Sequence, residues 1–125
     1  MNHERHYTLE EANAALGWVL ERVQTMRDAR EKLTDEEARE TLAGAAPENG
    51  GGAPGRVVSE GFLALRTALL ELQAVDVVLR DLDRGLVDFP ALRDGREVYL
   101  CWLEGETEIS FWHEPDAGYA GRRAL

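Results

Sequence analysis

Two carboxylates and the single thiol of the chain are the residues of the C-terminal third whose types could do chemistry together. Asp88, Cys101 and Glu108 form one cross-strand row if three strands pair through two-residue turns at 94–95 and 104–105. Cross-strand neighbours lie about 5 Å apart, so the two carboxylates would flank the thiol. Because carboxylate and thiolate are both metal ligands, the row is a candidate metal site.

The same row has two other interpretations. As a nucleophile the thiol of Cys101 is a weak candidate, because neighbouring carboxylates raise the pKa of a thiol rather than lower it. The row could also be an ordinary half-exposed sheet face or a contact between subunits. All of these interpretations depend on the turns, since a slip of one residue moves side chains to the opposite face.

A histidine and a carboxylate follow the last predicted strand. On the same register His113, which precedes Glu114, lies on the apolar face of the sheet, where it would be a hydrogen-bonded core residue. As a candidate catalytic residue it would act as a general acid or base beside a pocket. It could also share a metal with helix carboxylates such as Glu11 or Glu71, although the Glu-x-x-His motif of di-iron helices is absent.

One internal carboxylate and the end of the chain supply the remaining candidates. Asp76 falls in the apolar seam of the predicted second helix, so it needs donors such as Asn13 or is a functional acid. Near the C-terminus, Tyr119, Arg122 and Arg123 are candidate ligand-binding residues, because arginine binds carboxylate or phosphate in a bidentate manner. The alternative is that these arginines pair with internal acids of this acidic chain.

The N-terminal two thirds of the chain predict two long helices. Thr8 is a helix N-cap, and Glu11 three residues later completes a capping box. Apolar residues at helical spacing then predict helices over 8–42 and 57–83, with a flexible Gly/Pro-rich connector at 44–55. The second helix is apolar over so wide a face that it must be buried on more than one side.

The remaining segment, 85–125, predicts a β-meander and a tail. Strands are expected over 86–91, 96–103 and 106–113, with turns that contain glycine. The predicted fold class is therefore α+β, a long antiparallel helical hairpin with a small three-stranded antiparallel sheet. The whole chain, 1–125, forms a single domain, and the sheet packs on the second helix.

Composition restricts the classes of partner. The 125 residues carry a net charge of −10 and no basic segment, which disfavours nucleic acid and anionic membranes as partners. No apolar run approaches the roughly 20 residues of a membrane helix. A single cysteine and the lack of a secretion signal predict a cytoplasmic protein.

Several motifs together resemble a family of short bacterial proteins known as domain of unknown function 2203. The resemblance covers nearly the whole chain except the connector. Its motifs lie at residues 7–13, 85–90, 99–102, 105–106, 112–114 and 118–122. It implies a small bacterial protein of helical hairpin plus sheet, and it implies no activity, cofactor or catalytic residue.

Two functions remain open on the sequence alone. The wide apolar helical face favours a non-enzymatic interaction or assembly module that acts as a homodimer and could also bind another protein. The alternative is a small-molecule or metal-binding enzyme with its site where the tail meets the helices. Its residues would be His113, Glu114, Arg122 and Asp76, or the row of Asp88, Cys101 and Glu108.

Overall fold

A computed structural model of the chain describes the backbone of residues 1–43 and 53–125 and the side chains of 1–33 and 60–125. The α+β class is confirmed: two helices share one core with an antiparallel sheet, which has five strands rather than three. The helices are α1 (Leu9–Ala43) and α2 (Ala53–Ala74). The strands, paired in chain order, are β1 (Val78–Asp81), β2 (Leu86–Arg93), β3 (Arg96–Leu103), β4 (Phe111–His113) and β5 (Arg123–Ala124).

The capping box predicted for the first helix is confirmed. Thr8 Oγ1 accepts a hydrogen bond from the backbone N–H of Glu11 at 3.1 Å, and Glu11 accepts one from the N–H of Thr8 at 2.8 Å. Two N–H groups that the first turn leaves without helical partners are thereby satisfied. These bonds to Thr8 also lower the pKa of Glu11.

The two helices pack side by side and run antiparallel. Arg22 on α1 lies 3.3 Å from Glu71 near the end of α2, whereas Leu33 further along α1 touches Gly61 near its start. A Cβ at Gly61 would lie 3.3 Å from the side chain of Leu33, so glycine permits this close approach.

The predicted second helix, 57–83, is wrong at both ends, because α2 starts at Ala53 and ends at Ala74. The last three residues of the predicted connector 44–55 therefore belong to α2, while 44–52 lies outside the described residues. A proline in the first helical turn costs no hydrogen bond, which explains how α2 starts within the Gly/Pro-rich segment.

The C-terminal end of α2 is a Schellman motif. The N–H of Val77 reaches the carbonyl of Leu72 at 3.0 Å, and the N–H of Asp76 reaches that of Gln73 at 3.0 Å. Asp76 takes the left-handed conformation (φ 63°) that such a motif requires. The seam position predicted for Asp76 is therefore wrong, and the chain after it forms the edge strand β1 (Val78–Asp81).

The register predicted between β2 and β3 is confirmed. Their turn has positive φ at both Asp94 (53°) and Gly95 (79°), as a tight hairpin requires. The paired residues include Val87 with Trp102, Asp88 with Cys101, and Phe89 with Leu100. Asp88 and Cys101 therefore stand side by side, as expected.

The register predicted between β3 and β4 is wrong by three residues. Leu100 pairs with Trp112 rather than Ile109, and Cys101 pairs with Phe111 rather than Glu108. Because the shift is odd, every side chain of β4 changes face relative to the prediction. His113 thus moves to the face that carries Asp88.

A wide turn built on Glu106 causes this shift. Its carbonyl accepts the indole N–H of Trp102 at 2.8 Å, and its carboxylate accepts the N–H of Leu103 at 2.8 Å. Further on, the N–H of Ile109 donates to Asn13 on α1 at 2.8 Å. The strand predicted over 106–113 therefore begins only at Phe111.

The core lies between the inner face of the sheet and both helices, rather than on α2 alone. From the helices it includes Ala12, Val19, Val23, Met26, Ala68 and Leu72. From the sheet and the loop before β4 it includes Val87, Phe89, Ala91, Val98, Leu100, Trp102, Ile109 and Trp112. Among the described residues, no helix is both long and apolar enough to cross a membrane.

Candidate functional site

The outer face of the sheet, turned away from the helices, carries three buried side chains of ligand type. Asp88 on β2, Cys101 on β3 and His113 on β4 are each at most 1% exposed. One ligand atom from each lies within 4.8 Å of the others. We call these residues the outer-face triad. His113 occupies the place in the row that the sequence predicted for Glu108. Glu108 is instead exposed in the loop before β4.

The carboxylate of Asp88 uses only one of its oxygens. Its Oδ2 accepts a hydrogen bond from Nε of Arg80 on β1 at 2.8 Å and one from Nε2 of His113 at 2.9 Å. Its Oδ1 is buried and has no hydrogen-bond partner among the described residues. A buried carboxylate oxygen without a donor is costly, so this atom marks a place for a ligand.

Both ring nitrogens of His113 face acceptors. Nδ1 lies 2.7 Å from the backbone carbonyl of Glu114, and Nε2 lies 2.9 Å from Oδ2 of Asp88, which also accepts a hydrogen bond from Arg80. Each nitrogen must therefore donate, which makes the ring an imidazolium. Burial opposes this charge, but the hydrogen bonds to Asp88 and to the Glu114 carbonyl raise the pKa of His113 overall.

The thiol of Cys101 is fully buried. Burial first, and then the charge of Asp88, raise its pKa to about 12, while the charge of Arg122 acts in the opposite direction. The thiol is therefore protonated at neutral pH in this state. This environment disfavours a thiolate nucleophile, because reactive thiols need nearby positive charge and some exposure to solvent.

Aromatic and basic side chains close the triad from outside. The ring of Tyr99 lies 5.5 Å from that of His113, and the guanidinium of Arg80 lies 5.0 Å from the Tyr99 ring. The hydroxyl of Tyr99 is bound by Nε2 of His3 at 2.7 Å. The N-terminal segment thus reaches the edge of the triad.

Glu97 and Asp76 hold that N-terminal segment. Glu97 accepts hydrogen bonds from the backbone N–H groups of Asn2 at 3.0 Å and His3 at 3.1 Å, and from Nε2 of His6 at 2.9 Å. Asp76 accepts the N–H of Arg5 at 3.1 Å and lies 3.3 Å from Nδ1 of His3. Burial opposes ionisation of Glu97, but these hydrogen bonds lower its pKa overall.

We expect Glu97→Gln to release residues 1–6 and to lower the free energy of unfolding by about 1–3 kcal/mol, the usual cost of losing charged hydrogen bonds. Because the folded pKa of Glu97 is lowered, its contribution is present above its unfolded pKa and is lost as pH falls through the folded value. Hydrogen exchange at residues 1–6 and urea unfolding from pH 7 to pH 3 measure both effects. Glu108→Gln, at an exposed position, is the control, and equal protection of residues 1–6 in both variants would contradict the assignment.

The C-terminal arginines have internal partners. Nη2 of Arg122 contacts both carboxylate oxygens of Glu106 at 2.8 Å, and its guanidinium stacks 4.0 Å from the Phe111 ring. Arg123 lies over the Trp112 ring at 5.3 Å. Among the buried atoms of the described residues, Nε of Arg122 has no hydrogen-bond partner.

The predicted catalytic candidates do not form one site. His113 is bound to Asp88, Glu114 pairs with Arg96, and Asp76 binds the N-terminal segment. Tyr119, a predicted ligand-binding residue, is exposed beside the guanidinium of Arg84 at 4.6 Å. What the structure assembles instead is the outer-face triad.

The sequence prediction missed Arg80 and Glu97. Arg80 falls within the predicted helix 57–83, and it lies beside Asp88 only because β1 is a strand. Glu97 gives no local signal, because its partners lie more than 90 residues away in the chain.

A groove between the helices is separate from these residues. It has a volume of about 790 Å³ and is lined by residues of α1 and α2. Small and polar side chains line it, among them Gly17, Thr25, Ala64, Thr67 and Ala68. None of the candidate residues on the outer sheet face borders it.

Comparison with known proteins gives one match. No curated protein and no solved structure matches the chain. A family model described as an uncharacterized conserved protein, DUF2203, matches residues 5–125, which extends from the N-terminal segment through both helices to the last strand. The chain therefore belongs to this family of uncharacterized conserved proteins.

Proposed function

We propose that the chain is a non-enzymatic interaction module of the bacterial cytoplasm that acts as a homodimer through the outer side of α2. The supporting observation is a set of large apolar side chains on that helix. Phe62, Leu63 and Leu70 are 55%, 57% and 49% exposed. Covering such a surface removes apolar area from water, which favours association by roughly 25 cal/mol per Å².

The spacing of these residues fits a second copy of the same chain. Phe62 and Leu70 lie four residues on either side of Arg66, and helix neighbours three or four residues apart share a face. Two α2 helices that cross antiparallel at Arg66 place Phe62 of one copy against Leu70 of the other, twice. A twofold interface requires this self-complementary pattern.

Arg66 would then stand near the twofold axis beside its symmetry mate. Its long stem can cover apolar surface while the guanidinium reaches water. Two like charges at this distance repel, and salt screens exposed charges. We therefore expect added salt to strengthen this dimer.

We expect the double variant Phe62→Glu/Leu70→Glu to raise the dimer dissociation constant by about 700-fold or more, since two central apolar anchors contribute about 2 kcal/mol or more each and every 1.4 kcal/mol is tenfold. The measurement is sedimentation equilibrium over a concentration series at low and high salt. Both residues are exposed in the monomer, so its circular dichroism and thermal unfolding should be unchanged.

Leu92→Glu is the matched control. Leu92 is 53% exposed near the β2–β3 turn, where the same substitution should leave the dissociation constant unchanged. A wild-type chain that stays monomeric at all concentrations, or equal weakening by Leu92→Glu, would remove the basis of this function.

The second candidate function is that of a small-molecule or metal-binding enzyme. The observation that favours it is the buried, unpartnered Oδ1 of Asp88 beside Cys101 and His113. This candidate does not need the dimer, because its residues lie on the sheet rather than on α2. Elemental analysis of protein purified without chelator tests whether a metal accompanies the chain.

A further inference from the structure

The outer-face triad has the composition and geometry of a cation site. We propose that it binds one Zn²⁺ ion through Oδ1 of Asp88, Sγ of Cys101 and Nε2 of His113. All three side chains are buried, and one ligand atom of each, a carboxylate oxygen in the case of Asp88, lies within 4.8 Å of those of the others. This inference names a ligand for the second candidate function and is independent of the dimer.

The unpartnered oxygen of Asp88 is the observation that most directly points to a ligand. Oδ1 is buried without a donor, whereas Oδ2 is bound by Arg80 at 2.8 Å. A cation on Oδ1 would satisfy the orphaned atom while Arg80 keeps its hydrogen bond. Arg80 then becomes an outer partner that orients the ligating carboxylate, as metal sites commonly require.

The imidazole of His113 is already oriented for coordination. Its Nδ1 donates to the carbonyl of Glu114 at 2.7 Å, which directs Nε2 toward Asp88 and Cys101. A backbone carbonyl on one ring nitrogen is the usual means of fixing which nitrogen meets the metal. Coordination by this ring requires that Nε2 give up its proton and its bond to Oδ2.

Zinc binding at this site would release two protons. Zn²⁺ is bound by the thiolate of cysteine and by a neutral imidazole nitrogen, so Cys101 and Nε2 of His113 would each give one proton to solvent as the dication binds.

The donor set selects zinc over the hard cations. A thiolate and an imidazole with one carboxylate oxygen suit Zn²⁺, whereas Mg²⁺ and Ca²⁺ take oxygen ligands. Three protein ligands leave one of four tetrahedral positions for water or a further ligand, the pattern of a catalytic rather than a closed structural zinc site.

Access to the site runs past Arg80. Its side chain is 40% exposed, while that of Asp88 is 2% exposed, so the guanidinium is the solvent-facing part of the cluster. Arg80 lies on the edge strand β1, whose outer side has no neighbouring strand among the described residues. Rotation of the Arg80 side chain would expose the carboxylate of Asp88 to solvent without unfolding the sheet.

The test is titration of the full chain with Zn²⁺ and, as a spectroscopic probe, Co²⁺. We expect one ion per chain by native mass spectrometry and a thiolate-to-cobalt charge-transfer band that Zn²⁺ abolishes. Cys101→Ser should lose the band and weaken Zn²⁺ binding by about 100-fold or more, because losing outer partners alone typically costs 10–100-fold. Mg²⁺ and Ca²⁺ should give no thermal shift.

Two controls separate this site from other histidines and from dimerisation. His6→Asn removes an imidazole that binds Glu97 and should leave the cobalt band intact, whereas His113→Asn should remove it. Phe62→Glu/Leu70→Glu should also retain the band, so a failed dimer leaves this result standing. A wild-type chain with neither a cobalt–thiolate band nor stoichiometric zinc overturns the proposal, whether or not the Cys101 variant folds. Binding by Cys101→Ser that equals the wild type also overturns it.

Discussion

Replacement of Asp88 with Ala is expected to lower the free energy of unfolding by about 3–5 kcal/mol, the cost of removing one partner from a buried ion pair. The loss arises mainly at His113, which is 1% exposed. Without Asp88, a positive charge on this buried ring would have no counter-ion. Arg80 can turn its 40% exposed side chain into water. Urea unfolding of the chain in the presence of a chelator, with linear extrapolation, measures the difference.

Asp88→Asn separates charge from shape in the same experiment. The amide fills the same volume and can donate to Nε2, so the loss should be smaller than for alanine. The pKa of His113 should fall, because its burial and the charge of Arg80 remain while the charge of Asp88 is gone. A proton NMR titration of the ring follows this change directly.

Asp116→Ala, at an exposed position in the tail, is the control and should stay within about 0.5 kcal/mol of the wild type. A loss below about 1 kcal/mol for Asp88→Ala would show that solvent reaches the triad and that its ion pairs are of the weak surface kind.

The hairpin of β2 and β3 could be predicted from the sequence because its determinants are local. Asp94-Gly95 supplies the two positive φ angles, and alternation along β2 then assigns Asp88 and Phe89 to opposite faces. That turn alone places Asp88 beside Cys101. Two of the three members of the outer-face triad therefore follow from the amino-acid sequence.

The third member of the triad does not follow from the sequence, because the turn before β4 depends on side chains outside the turn, one of them on α1. The indole of Trp102 and the amide of Asn13 widen that turn, and Glu104-Gly105 gives no sign of either contact. An odd register shift exchanges the faces, so the two-residue turn assigns His113 to the apolar side.

The end of α2 could not be predicted from the sequence either. Apolar spacing continues through Val75, Val77 and Val78, and helical and strand patterns coincide in such short runs. The helix is ended by Asp76 in a left-handed conformation, which aspartate adopts less often than glycine. Without a glycine at that position, the sequence carries no strong stop signal, and the predicted helix runs on through β1 and its Arg80.

Phe89→Ala should destabilise the fold by about 3–5 kcal/mol, the range observed for buried phenylalanine truncations. Phe89 is 0% exposed, and its ring meets that of Tyr7 edge-on, with centroids 5.2 Å apart. Tyr7 in turn donates to the carbonyl of Val75 at 2.6 Å and binds Pro90 through its N–H at 2.7 Å. The cavity would therefore loosen the junction where the start of α1, the end of α2 and β2 meet.

Leu92→Ala, on the same strand but 53% exposed, is the matched control and should cost less than about 0.5 kcal/mol. Urea unfolding of both variants gives the comparison, and hydrogen exchange at Tyr7 locates the loss. Equal losses for the two variants would contradict a single core on the inner sheet face. A large loss for Phe89→Ala with an undisturbed Tyr7 amide would instead show that the N-terminal segment is held from the outer face, by Glu97 and Asp76, rather than by packing on Phe89.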